Sequence, residues 1–200
     1  YLQETPIVST NIESAEIIKY ASNSFLATKI AFINQVADLC ESVGGNVQDV
    51  AKAMGLDKRI GSKFLHAGPG FGGSCFPKDV KAFVSTGRQF NVDLSIVDSV
   101  NNSNQNRPKE IVNKISKHFN NNIKDKIFSF LGLSFKPNTD DVRDSTSIII
   151  ANLLHEKGAI INAYDPKAME NAKLILPNIN YSKDIQDSCF KADAIIIATE

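Results

Sequence analysis

Gly68-Pro69-Gly70-Phe71-Gly72-Gly73-Ser74-Cys75-Phe76-Pro77-Lys78-Asp79 sets a lone cysteine in a glycine-rich loop directly ahead of a helix start. Pro77 suits the first helical position, where its missing N–H costs nothing, and Val80, Ala82, Phe83 and Val84 continue an apolar side. Cys75 then stands at the helix N-terminus, where unpaired N–H groups and the dipole favour an ionised sulfur, and Lys78 adds positive charge. This is the placement of a nucleophile. Gly70, Gly72 and Gly73 let the backbone turn sharply and approach a ligand closely. Gly68, Gly70 and Gly73 match G-x-G-x-x-G by letter, but no strand precedes them and Pro69 occupies the turn, so the dinucleotide reading is rejected. Cys40 and Cys189 lie beside apolar residues and read as packing groups.

The regions on either side of the loop differ in period. Upstream, Thr10 and Glu13 are spaced as a capping box, and an apolar pattern at helical spacing runs from Ile17 to Leu39, ended by Gly44-Gly45. Asn46 caps a second short helix that Gly55 closes. Asn101 to Asn106 is polar, and Pro108 either opens a helix or kinks a continuing one. Beyond Asn120-Asn121-Asn122, strands and helices alternate: strand Ile127 to Leu131, helix Ser145 to Lys157, strand Ala159 to Tyr164, strand Ala194 to Ala198. The expectation is an all-α domain over 1–120, followed over 121–200 by an α/β Rossmann-like domain with a parallel sheet, truncated. Ending straight after a strand-like run, the chain reads as a piece of a longer protein.

The 22 basic and 22 acidic residues cancel and form no long like-charge block, which argues against nucleic acid or an anionic membrane surface as partner. Apolar runs are too short to span a bilayer. Three cysteines and no signal-peptide pattern point to the cytoplasm. His66, His118 and His155 are isolated, so no metal site is expected. Lys19 and Asn23 stand four apart on one helix face, where a cation and an amide donor could hold an oxyanion; the plainer reading is a solvated face. Asp79, four after Cys75, is either a dipole-stabilising carboxylate or the partner of a lysine or water beside the thiol. Lys136 and Arg143 follow the first strand, whose Gly132 has no further glycines at fingerprint spacing, and are placed to bind a diphosphate or to lie solvated.

Six segments together resemble the UDP-glucose/GDP-mannose dehydrogenase family: Ser14-Ala15-Glu16 leading to Lys19-Tyr20-Ala21-Ser22-Asn23, Asp57 to Gly61, Phe71 to Asp79, Gly132 to Lys136, Asp141 to Ser145, and Tyr164-Asp165-Pro166. The resemblance covers essentially the whole chain. It implies NAD-dependent oxidation of the C6 alcohol of UDP-glucose to the carboxylate of UDP-glucuronate, through a thiohemiacetal and a thioester on Cys75. GDP-mannose and UDP-N-acetylmannosamine are the alternative substrates. On this resemblance Lys19 and Asn23 hold the oxyanion or water, and Asp79 activates that water or positions Lys19. Phe64, Leu65, His66, Ala67, Gly68 and Gly72 line the sugar-nucleotide pocket, Lys136 reaches the sugar, and Lys78 and Arg143 contact NAD. Arg59 acts on substrate across a homodimer interface built from the helical domain. His66 departs from the lysine that some members carry. The resemblance also implies that the NAD-binding domain precedes Tyr1, so this piece alone is expected to show no turnover. Competing readings are a non-enzymatic helical dimerisation module with a redox-sensitive thiol, and a cysteine hydrolase with His66 as base.

Overall fold

The computed structural model describes residues 6–199. Four helices come first: α1 (Ile12–Val43), α2 (Val47–Leu56), α3 (Phe76–Gln89) and α4 (Ser95–His118). Asn11, rather than Thr10, caps α1, its side chain accepting the Ser14 N–H at 2.9 Å, so the expected capping box is one residue out of register. Gly44, at φ 77°, ends the helix in the left-handed conformation, which a residue without a Cβ adopts at no steric cost. Asn46 caps α2 as expected, but Gly55 lies inside that helix rather than closing it. Its reason is space, since a Cβ there would stand 2.9 Å from Ser62 Cα. Helix α3 begins at Phe76, which moves Pro77 to the second position and leaves Cys75 as the N-cap.

Helix α4 passes through Pro108 without interruption and carries the asparagine run within it. Tertiary packing compensates for the hydrogen bond that Pro108 removes. Towards the N-terminal end, Val100 joins Ala27, Ala31, Phe71 and Val80 in the core of the helical region. Towards the C-terminal end, Val112 is buried with Phe128, Phe130 and Leu154 in the core under the sheet. One helix thus belongs to two cores.

The second region holds β1 (Ile127–Leu131), α5 (Thr146–Glu156), β2 (Ile160–Tyr164), α6 (Met169–Ile175), β3 (Asn180–Tyr181), α7 (Ile185–Cys189) and β4 (Ala194–Ile197). All strand pairs are parallel, in the order β3-β2-β1-β4. The first connections run outwards from β1 in one direction and β4 returns to its other side, so the strand order reverses between β1 and β4. In open parallel sheets a ligand crevice forms at the carboxyl ends of the strands beside such a reversal. Phe128 and Phe130 on the central strand are fully buried, each contributing roughly 2–3 kcal/mol of apolar burial. The short β3, α6 and α7 carry too few periodic residues to be read from sequence.

Asp165 ties together the loops at the carboxyl end of the sheet. Its Oδ2 accepts the N–H groups of Leu133 (2.7 Å) and Ser134 (3.2 Å), and its Oδ1 those of Lys167 and Ala168 (both 2.8 Å). Burial alone would push this carboxyl up, but the four N–H donors outweigh it and hold it below the usual carboxylate range. A depressed folded value means that its stabilising contribution is complete above the unfolded value of about 3.9 and is lost as pH falls through the folded one. Asp165→Asn removes the charge and misaligns the acceptors, and about 3 kcal/mol of stability should go with it. Thermal unfolding at pH 7 checks this. The difference from wild type should shrink as the pH drops below 4, whereas a constant difference would mean that the charge is not what matters.

Candidate functional site

The cysteine loop is held from three sides. Asn104, in the middle of α4, grips both backbone groups of Phe71: its Oδ1 accepts the N–H at 2.8 Å and its Nδ2 donates to the carbonyl at 2.9 Å. At the start of the loop, Asn34 of α1 accepts the Gly68 N–H at 2.8 Å, and the Arg107 Nε donates to the Gly68 carbonyl at 3.2 Å. Arg107 is itself buried and paired with Asp38 on α1, which Lys114 also contacts at 2.6 Å. At the far end, Gly73 N–H donates to the Arg143 carbonyl at 2.8 Å. The glycines answer to these contacts. A Cβ at Gly72 would stand 2.2 Å from the Asp144 carbonyl oxygen, and Gly73, at φ 79°, lies against the Phe135 ring. Sequence reasoning missed Asn34, Asn104 and Arg107. Three polar residues on helices carry no spacing signal, although an amide inside a helix that bonds neither its own turn nor the adjacent ones is a common sign of a tertiary anchor.

Held in this way, Cys75 is exposed at the N-terminus of α3. One turn on, the Asp79 side chain is fully buried between α1 and α3, a position that demands partners for its charge. Asn23 Nδ2 donates to its Oδ2 at 2.7 Å, with Lys19 Nζ 3.4 Å from the same oxygen and Lys78 Nζ 3.0 Å from Oδ1. The Lys78 approach pairs the charges without a well-aligned hydrogen bond. Burial pushes the Asp79 carboxyl up, but Lys78, Asn23 and Lys19 together bring it below the ordinary carboxylate range. In return Asp79 pushes the Lys78 ammonium up. Lys19, Asn23 and Asp79 therefore form one cluster, and the α1 face that carries the pair is not simply solvated. Both lysine side chains stay largely exposed, 60% and 66% accessible, while pairing with the buried carboxylate.

A cleft of about 650 Å³ opens between the helices and the carboxyl end of the sheet. Phe64, His66, Ala67 and Gly68 line one wall, and Phe135, Lys136, Ser147 and Thr199 line the other. Phe64 holds a φ of 64°, unusual for an aromatic residue, which reflects a backbone held by its surroundings. Two of the expected pocket residues, Leu65 and Gly72, stand elsewhere. Leu65 is buried and lines a separate hollow beside Met54 and Ile60, the chain turning at the left-handed Phe64 just before it. Gly72 is spent on the contact with Asp144. Arg59 is 89% exposed and forms a bidentate pair with Asp57 on the Leu65 side. Arg143, paired with Asp141, stands exposed beside the end of the cysteine loop.

Two family models match this chain: "UDP-glucose/GDP-mannose dehydrogenase family, central domain" over residues 13–106, and the "UDP binding domain" of the same family over residues 129–200. UDP-glucose 6-dehydrogenase of Rhizobium meliloti (strain 1021) is 48% identical over 200 residues, covering 100% of this chain and 46% of that protein. A UDP-glucose 6-dehydrogenase of Bacillus subtilis (strain 168) is 47% identical over 98% of this chain and 45% of its own length. Among solved structures, a UDP-glucose dehydrogenase from the archaeon Pyrobaculum islandicum superposes with a TM-score of 0.94 at 41% identity, covering 98% of this chain and 45% of that one. The chain thus spans about half the length of the relatives it matches.

Replacing Asn104 by Leu keeps the volume but leaves the Phe71 N–H and carbonyl unpaired in a half-buried place, at an expected cost of about 2–3 kcal/mol. Urea unfolding measures this loss, and iodoacetamide should alkylate Cys75 at a changed rate as the loop loosens. Unaltered stability and alkylation would show that the loop is held without Asn104.

Proposed function

The chain belongs to the UDP-glucose/GDP-mannose dehydrogenase family, and on that premise we propose that it carries the thiol half of an enzyme oxidising UDP-glucose to UDP-glucuronate with NAD. The observation that carries this reading is the cluster in which a buried Asp79 gathers Lys19, Asn23 and Lys78 one turn from the exposed Cys75.

The first oxidation turns the C6 alcohol into an aldehyde. The Cys75 sulfur then attacks that carbonyl carbon: a C–S bond forms and the carbonyl oxygen becomes an oxyanion. Lys19 and Asn23, pinned by Asp79, supply a cation and an N–H where that negative charge develops. Their fixed positions mean that little reorganisation is needed as the charge appears. Loss of a second hydride leaves a thioester, and water cleaves it, giving the carboxylate, a proton and the free thiol. Asp79, held ionised by its partners, orients Lys19 and takes no proton at neutral pH. NAD, when bound, supplies the hydride acceptor. The residues present fit only one edge of it: exposed Lys78 and Arg143 flank Cys75 and suit an anionic group. The loop after β1, by contrast, spends two of its N–H groups on Asp165. Phe64, His66, Ala67 and Gly68 on one wall of the cleft, with Phe135 and Lys136 on the other, would hold the nucleotide sugar.

A homodimer through the helical region forms part of the proposal. Phe25, Phe32, Leu39 and Val43 leave apolar surface exposed along α1, beside the hollow that Arg59 borders. Arg59 stands on this face rather than in its own chain's cleft, and so suits the cleft of a second copy. No helix among the described residues is long and apolar enough to cross a membrane, and a cytoplasmic enzyme is the setting proposed.

In the full-length protein, Cys75→Ser should abolish formation of UDP-glucuronate while leaving UDP-glucose affinity within about twofold, measured by NADH absorbance and calorimetry. Sustained turnover would exclude the thioester route. Lys19→Ala should raise the barrier by about 3–4 kcal/mol, the usual cost of losing an oxyanion donor. A loss of a few tenths would return Lys19 to the role of a surface cation. Under the same assay, GDP-mannose and UDP-N-acetylmannosamine should turn over more slowly than UDP-glucose.

A further inference from the structure

Lys29 stands half-buried in α1, yet makes no ion pair among the described residues. Its Nζ donates instead to two main-chain carbonyls, that of Ile60 at 3.0 Å and that of Gly61 at 3.3 Å. An ammonium has three donors and no acceptor, and a carboxylate would be the stronger partner. The acid of this turn, Asp57, is already committed. Its carboxylate accepts from the Arg59 N–H at 2.9 Å, from Arg59 Nε at 3.0 Å and from Arg59 Nη2 at 2.6 Å.

The turn closes on itself without Lys29. The Asp57 carbonyl accepts the N–H groups of Ile60 and Gly61, both at 2.9 Å, and Gly61 takes the left-handed conformation at φ 70°. A segment tied internally in this way moves as one piece, so contacts from outside decide where it stands. On the α2 side Ser62 packs so closely on Gly55 that a Cβ there would stand 2.9 Å from Ser62 Cα. On the α1 side stands the Lys29 ammonium. Lys29 lies four residues after Phe25 and three before Phe32, so the three share one helix face, and all border the hollow that Arg59 also lines. Both phenylalanines are exposed there. The lysine therefore ties the Arg59 turn to the same face of α1 that is proposed to meet a second copy.

We propose that Lys29 is a positioning residue: its ammonium fixes the turn over residues 57–61 against α1 and so sets where the Arg59 guanidinium stands relative to the face shared by two copies. The inference rests on the reading of Arg59 as a substrate contact in the second copy's cleft, and names what holds that contact in place. Lys29 itself touches no reacting atom. An arginine that binds the substrate equally in ground and transition states acts on KM, so a misplaced turn shows in KM with kcat little changed.

The test uses the full-length protein. Lys29→Met keeps the length of the stem and removes the donors, Lys29→Arg keeps charge and donors, and Arg59→Ala removes the group being positioned. Two readouts are taken: amide hydrogen exchange over residues 57–63, and initial rates of NADH formation against UDP-glucose concentration. Lys29→Met should speed the exchange severalfold and raise KM about tenfold with kcat within about twofold, and Lys29→Arg should restore most of both. Combined with Arg59→Ala, Lys29→Met should add nothing further to KM, since both act through one group. Unchanged exchange would overturn the inference. So would a KM that Arg59→Ala raises and Lys29→Met does not, or a double variant whose KM effect is the product of the two single ones. If instead Arg59→Ala leaves KM unmoved while Lys29→Met still speeds the exchange, the anchor stands and the substrate role of Arg59 falls.

Discussion

Helix α4 has one end in the core of the helical region and the other in the core beneath the sheet, and the cysteine loop is fixed from its middle. Val100 and Val112 anchor the two ends, while Asn104 and Arg107 lie between them and hold Phe71 and Gly68. Breaking α4 at Pro108 would separate the loop from the sheet wall against which it packs. The buried Arg107–Asp38 pair secures the same stretch to α1. Its charge needs that partner, since an unpaired guanidinium in this position would be strongly destabilising. The loop conformation is thus set by packing around it rather than by its own sequence, and Gly70, Gly72 and Gly73 are there because neighbouring atoms come too close for anything larger.

Electrostatics divides the site into a fixed part and an available part. Asp79 is buried and ionised, and it draws a lysine and an amide from α1 and a lysine from its own helix. Those three are held by one end and present their remaining donors to the outside. Asp165 plays a comparable part at the sheet edge, but its four partners are all backbone groups. In one place a buried carboxylate arranges side chains that reach the surface. In the other it arranges loops.

The strands β1, β2 and β4 were legible as short apolar, β-branched runs; β1 is central and buried through its middle, whereas β4, at the edge of the described sheet, leaves Ile195 and Ile197 exposed. The meeting of Lys19 and Asn23 with Asp79 was legible as spacing on two helices, though only the fold brings those helices together. Asn104 was not: an asparagine in a polar run has no local signature of a partner 33 residues away. The same limit applies to Leu65 and Gly72, where sequence places the residue in the right segment but cannot say which way it faces. Short elements such as β3 depend on pairing with β2 and have no period of their own. Local chemistry shows in sequence, whereas tertiary anchors show only through the partner.

The Asp144 carbonyl oxygen fills the volume where a side chain at Gly72 would begin. At Gly72, thiol loop and sheet wall therefore meet backbone to backbone, and beside it Gly73 meets the Phe135 ring. A protein engineer wishing to widen the cleft would gain little by lengthening or respacing this loop, since the seam has no slack. Room would have to come from trimming a side chain that lines the opening away from the seam, Phe64 foremost, with the seam left as the hinge-free jaw of the clamp.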